Sequence, residues 1–175
     1  LEHVKGHHIA FEAFSKLISK KRKCHIVLLG EGTLQDSLKQ LAVKLGIADR
    51  VHFMGHRDDV ESFYQMADIT MLTSFSEGFP LVLLESARAQ TPVIATDVGS
   101  VRELIVDKTV GWKVQPGNVH ELAAAMEDAL FLYKRGMLPL IGQKLQAHAS
   151  TKFTLESFAE NVYNVYLSIG KSNGM

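Results

Sequence analysis

The chain has 175 residues, 46% hydrophobic and 22% charged, the balance of one soluble globular domain with a sizeable core. Its 19 basic and 19 acidic side chains cancel, so it carries no electrostatic footprint for nucleic acid or for an anionic membrane surface. No apolar run reaches the ~20 residues that span a bilayer, the first residues resemble no signal peptide, and a single cysteine, Cys24, excludes an internal disulfide. A cytoplasmic domain is the expectation.

In chain order, residues 7–20 place Ala10, Ala13, Phe14, Leu17 and Ile18 at the spacing of one helical face. The basic run 20–23 closes that helix, where cations suit the dipole. His25–Gly30 is a continuous apolar run ending in Gly-Glu-Gly and predicts a buried parallel strand. Thr33 is the expected cap of a helix with Leu34, Leu38, Leu41, Ala42 and Leu45 inward, ended by Gly46. Val51–Gly55 predicts a strand, and Asp58 or Asp59 caps a short helix carrying Val60, Phe63, Tyr64 and Met66. Ile69–Thr73 is a strand, and a helix runs from Pro80 to Ala89 with proline at its first position.

Pro92–Thr96 predicts a strand, Val101–Ile105 a short helix and Gly111–Val114 an edge strand. Asn118 and Glu121 form a capping pair for a helix whose inward face is Val119, Leu122, Ala123, Met126, Leu130 and Tyr133. A further helix covers Leu138–Ala149. A last one starts at Thr154, with Leu155, Phe158, Ala159, Val162, Tyr163, Tyr166 and Ile169 on one face and a Phe153–Phe158 staple at its start. Residues 171–175 form a frayed tail, so 1–170 is the expected single domain. Strands alternating with helices across short loops predict an α/β fold, a doubly wound Rossmann-like parallel sheet with helices on both faces.

In such sheets ligands bind beyond the carboxyl ends of the strands. Lys5, Gly30–Gly32, Gly55–Arg57, Ser74–Phe79 and Asp97–Ser100 all fall at or just after predicted strand ends. The segment Ser74–Pro92 is the richest of them. Glu77 lies in a loop, and Glu85 follows eight residues later on the helix that begins near Pro80. The first-turn N–H groups of Leu81 and Val82 are free to bind an anion, and Gly78 permits close backbone approach. Glu85 lies one turn beyond Leu81, where it can accept hydrogen bonds from ligand hydroxyls. The plainer readings stand beside these: Glu85 as a carboxylate paired with the helix dipole, Glu77 as a solvated loop acid and Lys5 as an exposed lysine. Gly30-Glu-Gly32 lacks a Walker lysine and does not complete the dinucleotide fingerprint. No Cys/His cluster, Gly-x-Ser-x-Gly elbow or Ser/His/Asp arrangement is recognisable, so no metal site is expected.

The stretch Ser74-Phe-Ser-Glu77-Gly78-Phe79-Pro80-Leu81-Val82-Leu-Leu-Glu85 resembles the Glu-x7-Glu signature of the retaining glycosyltransferase family 4, which has the two-domain GT-B architecture. Other segments match that family in order: Lys5-Gly6, Leu29–Gly32, Val51–Asp59, Thr91–Gly99 with Glu103-Leu104, and Gly111. The resemblance implies one half of a GT-B enzyme, the C-terminal domain that binds a nucleotide-diphosphate-sugar donor, either a UDP- or a GDP-sugar. It implies that Glu77 contacts the donor sugar and Glu85 the ribose hydroxyls, and that Lys5 neutralises the leaving diphosphate. Gly78, Phe79, Pro80, Leu81 and Val82 would surround sugar and diphosphate, Gly30 and Gly32 would form the first glycine loop, and Phe53, Gly55 and Arg57 would lie by the base. No cofactor beyond the donor is implied.

In the family an arginine stands five positions before the lysine, and a strand leads into it; both would precede Leu1. The N-terminal acceptor domain is likewise expected as a partner outside these 175 residues, together with any membrane association. Gln90 stands where the family has glycine, and Ser100 where it has the second of a glycine pair. The remaining readings are a sugar-nucleotide epimerase half and a non-catalytic α/β interaction module.

Overall fold

The structure, a computed structural model, describes residues 1–20, 22–154, 157, 159 and 163. Parallel strands alternate with helices. β1 (Ile26–Leu28), β2 (Val51–Phe53), β3 (Thr70–Leu72), β4 (Val93–Thr96) and β5 (Trp112–Val114) are interleaved with α1 (His7–Ser19), α2 (Gln35–Lys44), α3 (Val60–Met66), α4 (Leu81–Arg88), α5 (Val101–Leu104), α6 (Val119–Lys134) and α7 (Leu138–Lys152). The strands form two hydrogen-bonded groups, β1-β2 and β3-β4-β5, parallel throughout. Among the described residues the two groups share no ladder, so β1 and β3 each have a single strand neighbour.

β4 shows why helices cover both faces. Its four residues are all buried, and successive side chains point to opposite faces. Ile94 joins a core with α1, α2 and α6, while Val93 and Ala95 join a second core with Leu83, Ala87, Leu104 and Leu145 of α4, α5 and α7. In the first core, α1 buries Ala10, Ala13, Phe14 and Leu17 as its spacing predicts. It also buries Phe11, whose ring meets Phe53 edge-on at 6.3 Å. Trp112 of β5 is buried, and its indole N–H donates to Asp128 of α6 at 2.8 Å.

Several local expectations change. β1 alternates, with Val27 half exposed between buried Ile26 and Leu28, where a strand buried on both faces was expected. Thr33 does not cap α2, because Glu2 takes both its N–H and its hydroxyl; the cap position belongs to Leu34. Asp59 stands at the start of α3 but makes no side-chain cap, since Arg57 holds both its oxygens. Pro80 occupies the N-cap position, and Leu81 is the first helical residue of α4. Tyr133 is exposed, and Ala125 and Ala129 take its place on the inner face of α6. The Asn118–Glu121 pair forms as expected, with the Glu121 N–H donating to Asn118 at 3.1 Å. The last expected helix, its Phe153–Phe158 staple and the frayed tail lie largely outside the described residues.

Candidate functional site

Two segments distant in sequence are joined at the C-terminal end of β3. The Phe75 N–H donates to the Val4 carbonyl at 2.7 Å, and the Thr73 hydroxyl donates to the Lys5 carbonyl at 2.8 Å. Gly6 has a φ of 61°, and a Cβ there would lie within 3.1 Å of the Thr73 carbonyl carbon and closer still to its oxygen. Only glycine combines that left-handed backbone with so close an approach. The turn that carries Lys5 is thereby docked on the loop that carries Glu77.

At this junction the Lys5 ammonium donates to Glu77 Oε1 at 2.7 Å. Ser74, fully buried, donates its hydroxyl to the same oxygen at 2.7 Å, and Ser74 is itself held by Thr96, which donates to its carbonyl at 2.6 Å. Partial burial opposes ionisation of Glu77, but the hydrogen bonds from Lys5 and Ser74 outweigh it and hold the carboxyl below its usual range. Glu77 is therefore anionic at neutral pH and largely covered, with 13% of its side chain exposed against 46% for Lys5.

The loop after β4 supports Glu77 from below. Ser100 donates both its N–H and its hydroxyl to the Gly78 carbonyl, at 3.2 and 2.9 Å. Gly99 has a φ of 53°, and a Cβ there would lie 2.5 Å from the Gly78 oxygen and closer to that of Glu77. Pro80 then starts α4 without a side-chain cap; the Leu83 N–H donates to the Pro80 carbonyl at 3.0 Å, and the N–H groups of Leu81 and Val82 are left to a ligand or to solvent. Leu81, Val82 and Glu85 are exposed, whereas Leu83, Ser86 and Ala87 anchor the helix inward. Ser86 donates its hydroxyl to the Thr91 carbonyl at 2.9 Å, and its oxygen lies 2.8 Å from the Thr70 hydroxyl. Phe79 is exposed, its ring 5.4 Å from that of Phe153.

Glu85 accepts a 2.9 Å hydrogen bond from the Tyr64 hydroxyl. Burial, and then the carboxylate itself, push the Tyr64 pKa well above its usual value, so the phenol stays a donor. On β1 and β2, the Gly30 N–H donates to the Gly55 carbonyl at 2.7 Å, which ties the first glycine loop to the loop after β2. Gly32 is crossed by Leu1, whose carbonyl oxygen a Cβ would meet at 2.5 Å. Phe53 packs its ring edge-on against Phe11. Arg57 forms a two-point pair with Asp59 at 2.8 Å and lies over the Phe63 ring; it touches neither Glu77 nor Glu85.

The structure thus brings Lys5, Glu77 and Gly78 together and joins Gly30 to Gly55. The periodicity of the chain does not expose the roles of Ser74, Ser100 and Tyr64. Ser74 had a local signal in its spacing three residues before Glu77, whereas Tyr64 reads as a core residue of a short helix. Among the described residues no group of three or more His, Cys, Asp or Glu side chains is placed to hold a metal ion. No described helix is long and apolar enough to cross a membrane.

Residues 1–135 match the model of the family Glycosyl transferases group 1. The chain belongs to that family. It is similar to an uncharacterised glycosyltransferase, MJ1607, of Methanocaldococcus jannaschii, at 28% identity over 95% of this chain and 42% of that protein. Among solved structures, Anabaena Alr3699/HepE in complex with UDP aligns with a TM-score of 0.80 and 26% identity, over 96% of this chain and 46% of that one. The C-terminal domain of a group 1 glycosyl transferase (LpcC) from Francisella tularensis aligns with a TM-score of 0.77 and 27% identity, over 89% of this chain and 83% of that one. The group 1 domain is accordingly the one that forms the C-terminal half of GT-B enzymes, within a retaining family. The chain spans less than half the length of the curated relatives it matches.

Proposed function

We propose that this chain is the donor-binding half of a retaining glycosyltransferase, holding a nucleoside-diphosphate sugar beyond the carboxyl ends of β3 and β4. The observation that carries the reading is the 2.7 Å contact between Lys5 and Glu77, made beside the uncapped start of α4. It sets a cation, an anion and free backbone donors side by side, which suits a ligand presenting a diphosphate and a sugar together. Lys5 and the first turn of α4 neutralise the diphosphate, whose charge grows as the glycosidic bond breaks. Glu77 accepts hydroxyls of the sugar near the reacting carbon, and Glu85 accepts those of the ribose. The backbone at Gly30, Gly32, Phe53 and Gly55 borders the base, with Arg57 close by, and Gly78–Val82 surrounds sugar and diphosphate. The Anabaena relative was solved with UDP and with UDP-glucose, which supports a UDP-sugar as the first donor to try.

Residues 1–170 are read as one donor domain. The acceptor-binding domain is proposed to belong to the same longer protein, and a strand leading into Lys5 would join the unshared edges of β1 and β3. The test is calorimetric titration of the 175-residue chain with UDP and GDP. One of them binds, and Glu85→Ala weakens it by about a hundredfold, the loss of two hydrogen bonds to a carboxylate at about 1.5 kcal/mol each. The chain alone transfers no sugar. Equal affinity in wild type and Glu85→Ala, or turnover without an acceptor domain, overturns the reading.

A further inference from the structure

We propose that Tyr64 is a positioning residue that fixes the Glu85 carboxylate for a ribose bearing both of its hydroxyls. The proposal rests on the reading of Glu85 as the ribose acceptor and adds a residue from a different helix to that subsite. Glu85 stands exposed on α4, and an exposed glutamate samples several rotamers, so ordering it on binding costs affinity. The Tyr64 hydroxyl removes that freedom by holding Oε2 at 2.9 Å.

Tyr64 is suited to the task because it is itself fixed. It is half-buried on α3, and its backbone carbonyl accepts the Thr91 hydroxyl at 2.6 Å. Glu61 on α3 pairs with Arg88 of α4 at 2.9 Å, a second tie between the two helices. The hydrogen-bond count also fits. An ionised carboxylate offers about four lone-pair positions, and a phenol donor uses one of them. Oε1 and the second lone pair of Oε2 remain, enough to accept both hydroxyls of a vicinal diol. The Tyr64 phenol keeps its proton at neutral pH, so it remains a donor to the carboxylate.

The alternative is that the bond only fastens α3 to α4. The two roles separate on nucleotides that differ in the ribose. The experiment titrates wild type, Tyr64→Phe and Glu85→Gln with UDP and with 2′-deoxy-UDP, with thermal unfolding as the folding control. If GDP is the nucleotide bound, the matching GDP pair is used. Tyr64→Phe is expected to weaken UDP about five- to tenfold and 2′-deoxy-UDP less than twofold, narrowing the preference for ribose. If it lowers both affinities equally, or neither, Tyr64 is a packing tie and the proposal is overturned. If Glu85→Gln leaves the ribose preference of the wild type intact, the reading of Glu85 fails as well. A preference lost in Glu85→Gln but unchanged in Tyr64→Phe overturns the Tyr64 proposal alone. Should Tyr64→Phe unfold, Thr91→Val, which releases the Tyr64 backbone, is expected to narrow the same preference, and an unchanged preference overturns the proposal.

Discussion

Gly99→Ala tests the support beneath Glu77. The residue sits at φ 53°, and the added Cβ would lie 2.5 Å from the Gly78 oxygen and nearer to that of Glu77. Both partners are backbone, so relief requires the 77–78 segment to move by about 1 Å toward ordinary van der Waals distance. That movement breaks the two bonds from Ser100 to Gly78 O, at about 1 kcal/mol each. The left-handed backbone adds about 1 kcal/mol for a residue with a Cβ, and the stiffer unfolded chain returns roughly 0.5 kcal/mol. A net loss of about 2–3 kcal/mol follows, seen as a fall in the denaturant midpoint with unchanged slope. Because Glu77 rides on the displaced segment, affinity for the intact nucleotide-sugar falls more than affinity for the nucleotide alone. Gly46→Ala is the control. It has a φ of 66° and open space around the Cβ position, so it pays only the backbone cost and leaves binding unchanged. If Gly99→Ala is no less stable than Gly46→Ala and binds UDP-glucose, or whichever UDP- or GDP-sugar the wild type binds, as tightly, the support reasoning is wrong.

Gln90 is the one described non-glycine residue with positive φ, at 58°; Gln90→Gly is expected to raise stability by roughly 0.5–1 kcal/mol in denaturant unfolding, less whatever its exposed bond to Gln146 contributes. Ser86→Ala leaves the buried Thr91 carbonyl without its hydroxyl donor and is expected to cost about 1–2 kcal/mol by the same measurement. His7 is held neutral, its pKa lowered to about 4 by burial first and by neighbouring positive charges after it. The unfolded chain protonates His7 below its ordinary value of about 6.5 while the folded chain does not, so this group makes stability fall as pH drops from about 6.5 to about 4. The full shift would be worth at most about 3 kcal/mol, and partial exposure brings it nearer 1–2 kcal/mol. His7→Gln should shrink the stability difference between pH 7 and pH 4.5 by that amount, and a difference equal to the wild type would contradict the burial of a neutral imidazole.

The parts of the fold that periodicity reaches were legible in the chain. The inner face of α1, the strand order along the sequence and the Asn118–Glu121 cap all follow from residue spacing. What escaped depended on competing partners, near in sequence in one case and far in another. Thr33 has the right chemistry for a cap but is taken by Glu2, and Asp59 by Arg57, so a local rule lost to a competing hydrogen bond. Tyr133 has the spacing of an inner-face residue on α6, yet the close packing of α1 on α6 leaves the small Ala125 and Ala129 inside. At the candidate site, Lys5, Glu77, Leu81, Val82 and Glu85 are singled out by residue type and position, and their roles are those proposed above. That Lys5 touches Glu77 across 72 residues could not be derived from spacing. Ser100, which departs from the family pattern, turned out to add a second bond to Gly78 O.

The most direct measurement is an amide chemical-shift titration of the folded chain with UDP and, in parallel, GDP. Saturable shifts with one nucleotide are expected at Lys5, Glu77 and Gly78, at Leu81 and Val82 with their free N–H groups, and at Glu85. A well-dispersed spectrum with no shifts at these residues at millimolar nucleotide would contradict that expectation, as would shifts confined to the groove lined by Glu12, Lys16 and Lys44 between α1 and α2.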